Sequence, residues 1–179
     1  MNTRILVMLS LLVGIGAVLH AVVPPYFLGM RPDMMLAMMF LGILLFPKFQ
    51  YVLLLSLATG FISALTTTVP GGQLANMIDK PLTAIAFFGL VLATKKLLRF
   101  KAVQPILAAI GTLISGSIFL TIVLYIIGLM EASFGIMFAT VVLPAALFNL
   151  IFVAITYPIA LKILKRTSLK HASPALAAE

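Results

Sequence analysis

The sequence predicts an all-α, polytopic membrane protein of six transmembrane helices, and three observations carry that reading. Hydrophobic residues make up 63% of the 179-residue chain and charged residues 9%, against about 45–50% and about 25% in soluble domains. The mean hydropathy is +1.25. The apolar residues also fall into six runs with polar or proline-bearing breaks between them, and none alternates as a strand does. A helix rises about 1.5 Å per residue, so ~20 apolar residues cross the hydrocarbon.

The elements follow in chain order. Residues 5–23 form the first helix. The Ala-Val-Val-Pro-Pro that ends it is a poor cleavage site, so it reads as a retained helix rather than a signal peptide. Residues 34–46, held between Asp33 and Pro47, give a short second helix. Residues 50–66 give the third. The fourth is expected over 82–98, with Asp79 as its cap, Pro81 in its first turn and a separate short turn over 73–78 ahead of it. Residues 103–130 and 134–164 give the last two, the sixth carrying Pro144 and Pro158. Residues 1–166 then form one membrane domain and 167–179 a cytoplasmic polar tail.

Charge placement sets the expected orientation. Arg4, Lys48, Lys95, Lys96, Arg99, Lys101, Lys162, Lys165, Arg166 and Lys170 all fall on one side, and only Arg31 and Lys80 on the other. Lys and Arg in short loops mark the cytoplasmic side, so both termini are expected inside a multi-pass protein of the cell membrane. The net charge of +8 is then a topology signal with some attraction to membrane lipid headgroups, and it calls for no nucleic acid. Asp33, Asp79 and Glu131 fall one to each outer connection. Two bases and three acids there suit a small zwitterion.

Catalytic signatures are missing. The chain has no cysteine, which excludes disulfides and thiolate chemistry. It has no P-loop, no H-E-x-x-H and no G-x-S-x-G. His20 and His171 lie far apart, and no carboxylate pair sits within a helix. Binding or transport is therefore expected rather than catalysis, with no cofactor and no metal.

The polar segments are the candidate site. In TTTVPGGQLANMIDKP (66–81), Pro70-Gly71-Gly72 makes a sharp turn. Its amides, with Arg31 or Lys80, offer partners for a carboxylate. Asp79, Asn76, Gln73 and the carbonyls of Thr67 and Thr68 offer acceptors for an ammonium. In MRPDMMLAMMFLG (30–42), Asp33 suits a helix cap and Arg31 a carboxylate fork. Met34 and Met38, with Phe87, present an adaptable apolar face that equally suits helix packing. Asn149, deep in the sixth helix, suits an interhelical hydrogen bond or a deeper polar contact with a ligand. Residues 66–81 are expected to act as a lid over a pocket.

Those two segments carry a resemblance that extends over essentially the whole chain. They resemble the tryptophan-transport membrane protein family TrpP, itself similar to the substrate-binding S components of energy-coupling-factor (ECF) transporters. The resemblance implies an S-component-like fold, tryptophan as the captured substrate, and partners: a membrane coupling subunit and its ATPase pair. Small residues four apart dock such helices on their partner, and Ala17 and Ala21 stand in that pattern here, although His20 departs from it. Internal packing is the other role for Ala17 and Ala21, as it is for Ser56, Gly60 and Ala64. A stand-alone ion-coupled carrier of an aromatic amino acid or indole compound, and a non-transport membrane scaffold, are the competing classes.

Overall fold

In the computed structural model the described residues are 2–23, 33–128 and 132–166. They form six helices: α1 Thr3–Val22, α2 Met34–Leu45, α3 Phe49–Thr66, α4 Gly72–Ala93, α5 Val103–Ile127 and α6 Phe134–Lys165. Five are long and apolar enough to cross a bilayer, and α2 is the short exception. This is the polytopic all-α architecture expected.

Helix α2 is the centre of the bundle. Every one of its residues is buried, and it packs against α1, α3, α4, α5 and α6. A helix apolar on all sides must be enclosed on all sides, and MMLAMMFLGILL meets that condition. The long helices bury one face and turn the other outward, as Val7, Leu11 and Val18 on α1 or Phe61 and Leu65 on α3 show. Close approaches fix the packing. A methyl group on Gly16 would meet the Met35 sulfur and Met38 at 3.2 Å, and one on Gly60 would meet the Asn76 carbonyl oxygen at 3.2 Å. Ser56, Gly60 and Ala64 are buried in keeping with a packing role.

The fourth helix corrects the sequence reading. It begins at Gly72 and runs without interruption to Ala93, so Asp79 and Pro81 lie inside it rather than at its start. Gly71, with φ of 74°, makes the preceding turn, and the Gly72 N–H donates to the Val69 carbonyl at 2.9 Å. The glycine turn therefore starts the helix, and the proline ring, which removes one backbone donor, sits in its interior. Only residues 67–71 of the expected lid are non-helical. The helix gives way after Thr94 to a single tight turn, Lys95–Leu97, rather than continuing to Leu98. Asp33 caps α2 as expected, its Oδ1 accepting from the Leu36 N–H at 3.0 Å.

Helices α5 and α6 each contain a stretch of wider, i→i+5 winding, at Ile122–Ile127 and Phe138–Val142. These stretches contribute to an apolar cluster of Val69, Ala75, Leu120, Ile122, Val123, Met137, Val141 and Val142. A second and larger cluster surrounds α2 and reaches Ile5 on α1 and Leu164 on α6. Within it Phe40 stacks on Phe87 with ring centroids 4.2 Å apart.

The tightest point of that stack is Gly111 on α5, where a methyl group would meet Phe40 Cζ at 2.7 Å and Phe87 Cδ2 at 2.8 Å. Gly111→Ala is expected to destabilise the protein by about 1–3 kcal/mol through overpacking. Gly89→Ala, at a position with nothing within 4 Å, should be neutral or stabilising by up to about 1 kcal/mol. Thermal unfolding in detergent measures both, and equal effects would contradict the packing described.

Candidate functional site

A lysine and two carboxylates meet at the heart of the site. Lys80 Nζ lies 2.6 Å from Asp33 Oδ2 and 2.8 Å from Asp79 Oδ2. Asp33 comes from the cap of α2, and Asp79 and Lys80 are consecutive on α4. Asp79 is wholly buried, and such a carboxylate needs every available donor. Its Oδ1 accepts from the Thr83 hydroxyl at 2.7 Å, and its Oδ2 accepts from Ser115 Oγ on α5 at 2.7 Å as well as from Lys80. His20 Nδ1 on α1 lies 3.9 Å from Asp33 Oδ1. Four helices are thereby tied to one charge system.

Beside this system lies an open cavity of about 740 Å³, a volume that includes solvent space at its mouth. Its polar wall is His20, Asp33, Thr67, Thr68, Asn76, Lys80, Thr112 and Ser115. Its apolar wall is Leu36, Val69, Gly116, Phe119, Leu120, Val141, Val142 and Ala145. The cavity takes walls from both apolar clusters, Leu36 from the one around α2 and Val69, Leu120, Val141 and Val142 from the other. Its lining residues lie away from the helix ends that carry Lys48, Lys95, Lys96, Lys162 and Lys165.

The charges on that wall do not cancel. Two carboxylates face one ammonium, and Asp33 is the carboxylate that reaches the cavity. Lys80 has three N–H donors, and among the described residues two of them are engaged, one by each carboxylate. The wall therefore offers a carboxylate edge and a remaining ammonium N–H side by side, next to an apolar surface.

The structure brings together some of the residues singled out from sequence and separates others. Asp33, Thr67, Thr68, Asn76 and Lys80 line the cavity. Asp79 stands behind Lys80, sealed from the cavity. Met34, Met38 and Phe87 are buried in helix packing, away from the cavity wall. Gln73 is exposed, and Gly71 and Gly72 shape the turn next to the wall residues Thr67–Val69. Asn149 makes the interhelical bond that its depth suggested, its amide donating to Thr112 Oγ1 at 2.9 Å. Ala21 is exposed and Ala17 partly so. Ser133 stands at the cap position of α6 without a side-chain cap bond. Arg31 and Glu131 lie outside the described residues.

Sequence reasoning missed Thr112, Ser115, Phe119, Val141 and Val142, and it did not count His20 among the binding residues. Thr112 and Ser115 carried a signal, since two hydroxyls three residues apart share one face of an otherwise apolar helix. The valines carried none, because nothing in an apolar run tells a cavity wall from a lipid contact.

Comparison with known proteins places the chain among relatives of similar length. The family model described as "Tryptophan transporter TrpP" matches residues 2–165. A Bacillus subtilis protein named "Probable tryptophan transport protein" is 50% identical over 173 residues, covering 97% of this chain and 99% of its own. Proteins with the same printed name from Clostridium acetobutylicum and Clostridium perfringens are 41% identical over 160 residues and 36% identical over 177. These alignments cover 87% and 94% of this chain and 93% and 97% of theirs. No solved structure gives a significant match.

The buried charge system sets a stability test. Asp79→Ala strands Lys80 with a single carboxylate and leaves the Thr83 and Ser115 hydroxyls without their acceptor. Breaking a buried pair in this way costs about 3–5 kcal/mol. Ser115→Ala, which removes one hydrogen bond to a charged group, should cost about 1.5–3 kcal/mol. Thermal unfolding in detergent is the measurement, and an Asp79→Ala protein as stable as the parent would contradict the network.

Proposed function

The chain belongs to the tryptophan transporter TrpP family, and from that premise we propose that it captures tryptophan from the outer side of the cell membrane in the cavity beside Asp33 and Lys80. The observation that carries this reading is the paired charge on the wall of an otherwise largely apolar cavity. A zwitterion places its ammonium against the Asp33 carboxylate. Its carboxylate takes the remaining Lys80 N–H, helped by the hydroxyls of Thr67 and Thr68 and by Arg31, which lies outside the described residues. The ring then lies on Leu36, Phe119, Leu120, Val141 and Val142. Asn76 adds an amide near the mouth, while the Gly71 turn and Gln73 shape the entry. Asp79 is a positioning residue that holds Lys80, and Met34, Met38 and Phe87 support the wall from behind. The names of the relatives supply tryptophan itself, and the polarity of the cavity wall supports it.

Both termini are cytoplasmic in this reading, because the basic side chains gather at the end of the bundle away from the cavity. A single cysteine at Lys96 should then escape an impermeant thiol reagent in intact cells, while one at Thr68 should react. The reverse pattern would overturn the orientation.

Uptake is coupled to ATP through separate chains, with this protein as the S component of an ECF-type transporter. The outward apolar face of α1, with exposed Ala21 and partly exposed Ala17, supports docking of a membrane coupling subunit and its ATPase pair. The second reading, a stand-alone ion-coupled carrier, is favoured by the charged cluster between the helices, since such groups also mark ion pathways. Ala21→Phe should spare binding and impair uptake. Full concentrative uptake by this chain alone in vesicles, driven by an ion gradient, would select the second reading instead.

Calorimetric titration tests the site. Losing a charge-assisted hydrogen bond costs about 1.5–3 kcal/mol, more than tenfold in affinity. Asp33→Asn and Lys80→Met should each weaken tryptophan binding by at least that factor, while Lys165→Ala at the opposite end leaves it unchanged. Unaltered affinity in folded Asp33→Asn and Lys80→Met proteins would remove the site from this cavity.

A further inference from the structure

His20 stands in the last turn of α1, is buried, and lines the cavity. Its Nδ1 lies 3.9 Å from Asp33 Oδ1. The same carboxylate meets Lys80 Nζ through Oδ2 at 2.6 Å and accepts the Leu36 N–H through Oδ1 at 3.0 Å. Asp33 is also the carboxylate on the cavity wall that an incoming ammonium would meet. It therefore faces a lysine that is already charged, a histidine that can become charged, and the place of a cation carried by the ligand.

Histidine is the side chain whose ordinary titration falls between about pH 5 and 8. Few other charges surround this one. Helix α1 packs against α2 and α3. At the cap of α2 stands Asp33, and behind it come Lys80 and Asp79 of α4. Helix α3 has no charged side chain, and its Tyr51 lies at the far end, where its hydroxyl accepts from the Asn2 N–H at 3.0 Å. Arg31, outside the described residues, keeps its charge throughout this pH range. With His20 neutral, the described groups are two carboxylates to one ammonium. A proton on His20 cancels that excess of negative charge at the carboxylate that reaches the cavity, and an imidazolium beside Asp33 repels a second cation brought there.

We propose that His20 is a proton-binding site that competes with the ligand's ammonium for Asp33, so that protonation and capture of a zwitterion oppose each other. This rests on the proposed capture of tryptophan in this cavity and adds a coupling to protons. Linkage makes the effect reciprocal: a proton on His20 weakens binding, and binding expels the proton. A carrier that takes up a proton together with its substrate needs the opposite sign.

The test is calorimetric titration of tryptophan into the purified full chain in detergent at about pH 5 and about pH 7.5, a range over which histidine changes charge and free tryptophan stays a zwitterion. The parent protein should bind on the order of tenfold more weakly at the lower pH, as competition by a proton with ordinary histidine affinity requires. His20→Gln, which cannot titrate, should bring the ratio of the two affinities close to one. The chain's other histidine, His171, is the control, and His171→Gln should keep the parent's ratio. Binding heats measured midway in buffers of different ionisation enthalpy should show a proton released by the His171→Gln protein, whose remaining histidine is His20, and this decides the matter if His20→Gln does not fold. Equal affinities of the parent at the two pH values, tighter binding in acid, an undiminished ratio in folded His20→Gln, or no proton release by His171→Gln would overturn the assignment. Failure of the parent to bind tryptophan at either pH would instead overturn tryptophan capture, and this inference with it.

Discussion

An ammonium and two carboxylates cannot stand apart inside a membrane protein. Each would carry a desolvation cost of several kcal/mol if left unpaired. Lys80 therefore joins Asp33 and Asp79 at 2.6 and 2.8 Å, and that meeting constrains the bundle around it. The cap of α2 must approach the first turns of α4. Ser115 must bring α5 to the same point, and Gly60 must let α3 approach the α4 backbone closely enough to seat Lys80. The cavity is what remains beside the charges once these helices are fixed.

The length of α2 decides where that cavity lies. Twelve residues span ~18 Å at about 1.5 Å per residue, well short of the ~30 Å hydrocarbon. One end lies beside Lys48, so the other end, with Asp33 at its cap, falls short of the reach of the five longer helices. A full-length helix in this position would have carried its cap to the headgroups and left no recess. Enclosure by five longer helices keeps the short one in place, and its uniformly apolar sequence is what makes that enclosure favourable. The charge system is thereby set among buried groups, where each electrostatic contact counts for more.

Much of this was legible in the sequence. Six apolar runs gave six helices, the Asp33 cap was foreseen, and of residues 66–81 the side chains of Thr67, Thr68, Asn76 and Lys80 line the cavity. The start of α4 was misread because Asp79 and Pro81 together make a strong local signal for a helix start. The Pro70-Gly71 turn lies nine residues earlier in the chain, and packing carries the proline within the helix. The partition between Asp33 and Asp79 was also hidden. Both look like caps, and only the three-dimensional course of α2 and α4 shows that one faces the cavity while the other is sealed behind Lys80. Met34 and Met38, with Phe87, were read as an adaptable apolar face equally suited to helix packing, and α2 is buried on every side, so its methionines have helix partners.

The central claim is that the wall recognises both ends of a zwitterion at once. Binding of three ligands to the purified protein tests it: tryptophan, tryptamine without the carboxylate, and indolepropionate without the ammonium. If Lys80 and Asp33 act as described, each truncated ligand binds at least about tenfold more weakly than tryptophan, and indolepropionate, which brings a carboxylate but no ammonium to a wall that already has two carboxylates to one ammonium, binds worst. Indolepropionate binding as tightly as tryptophan would contradict the account.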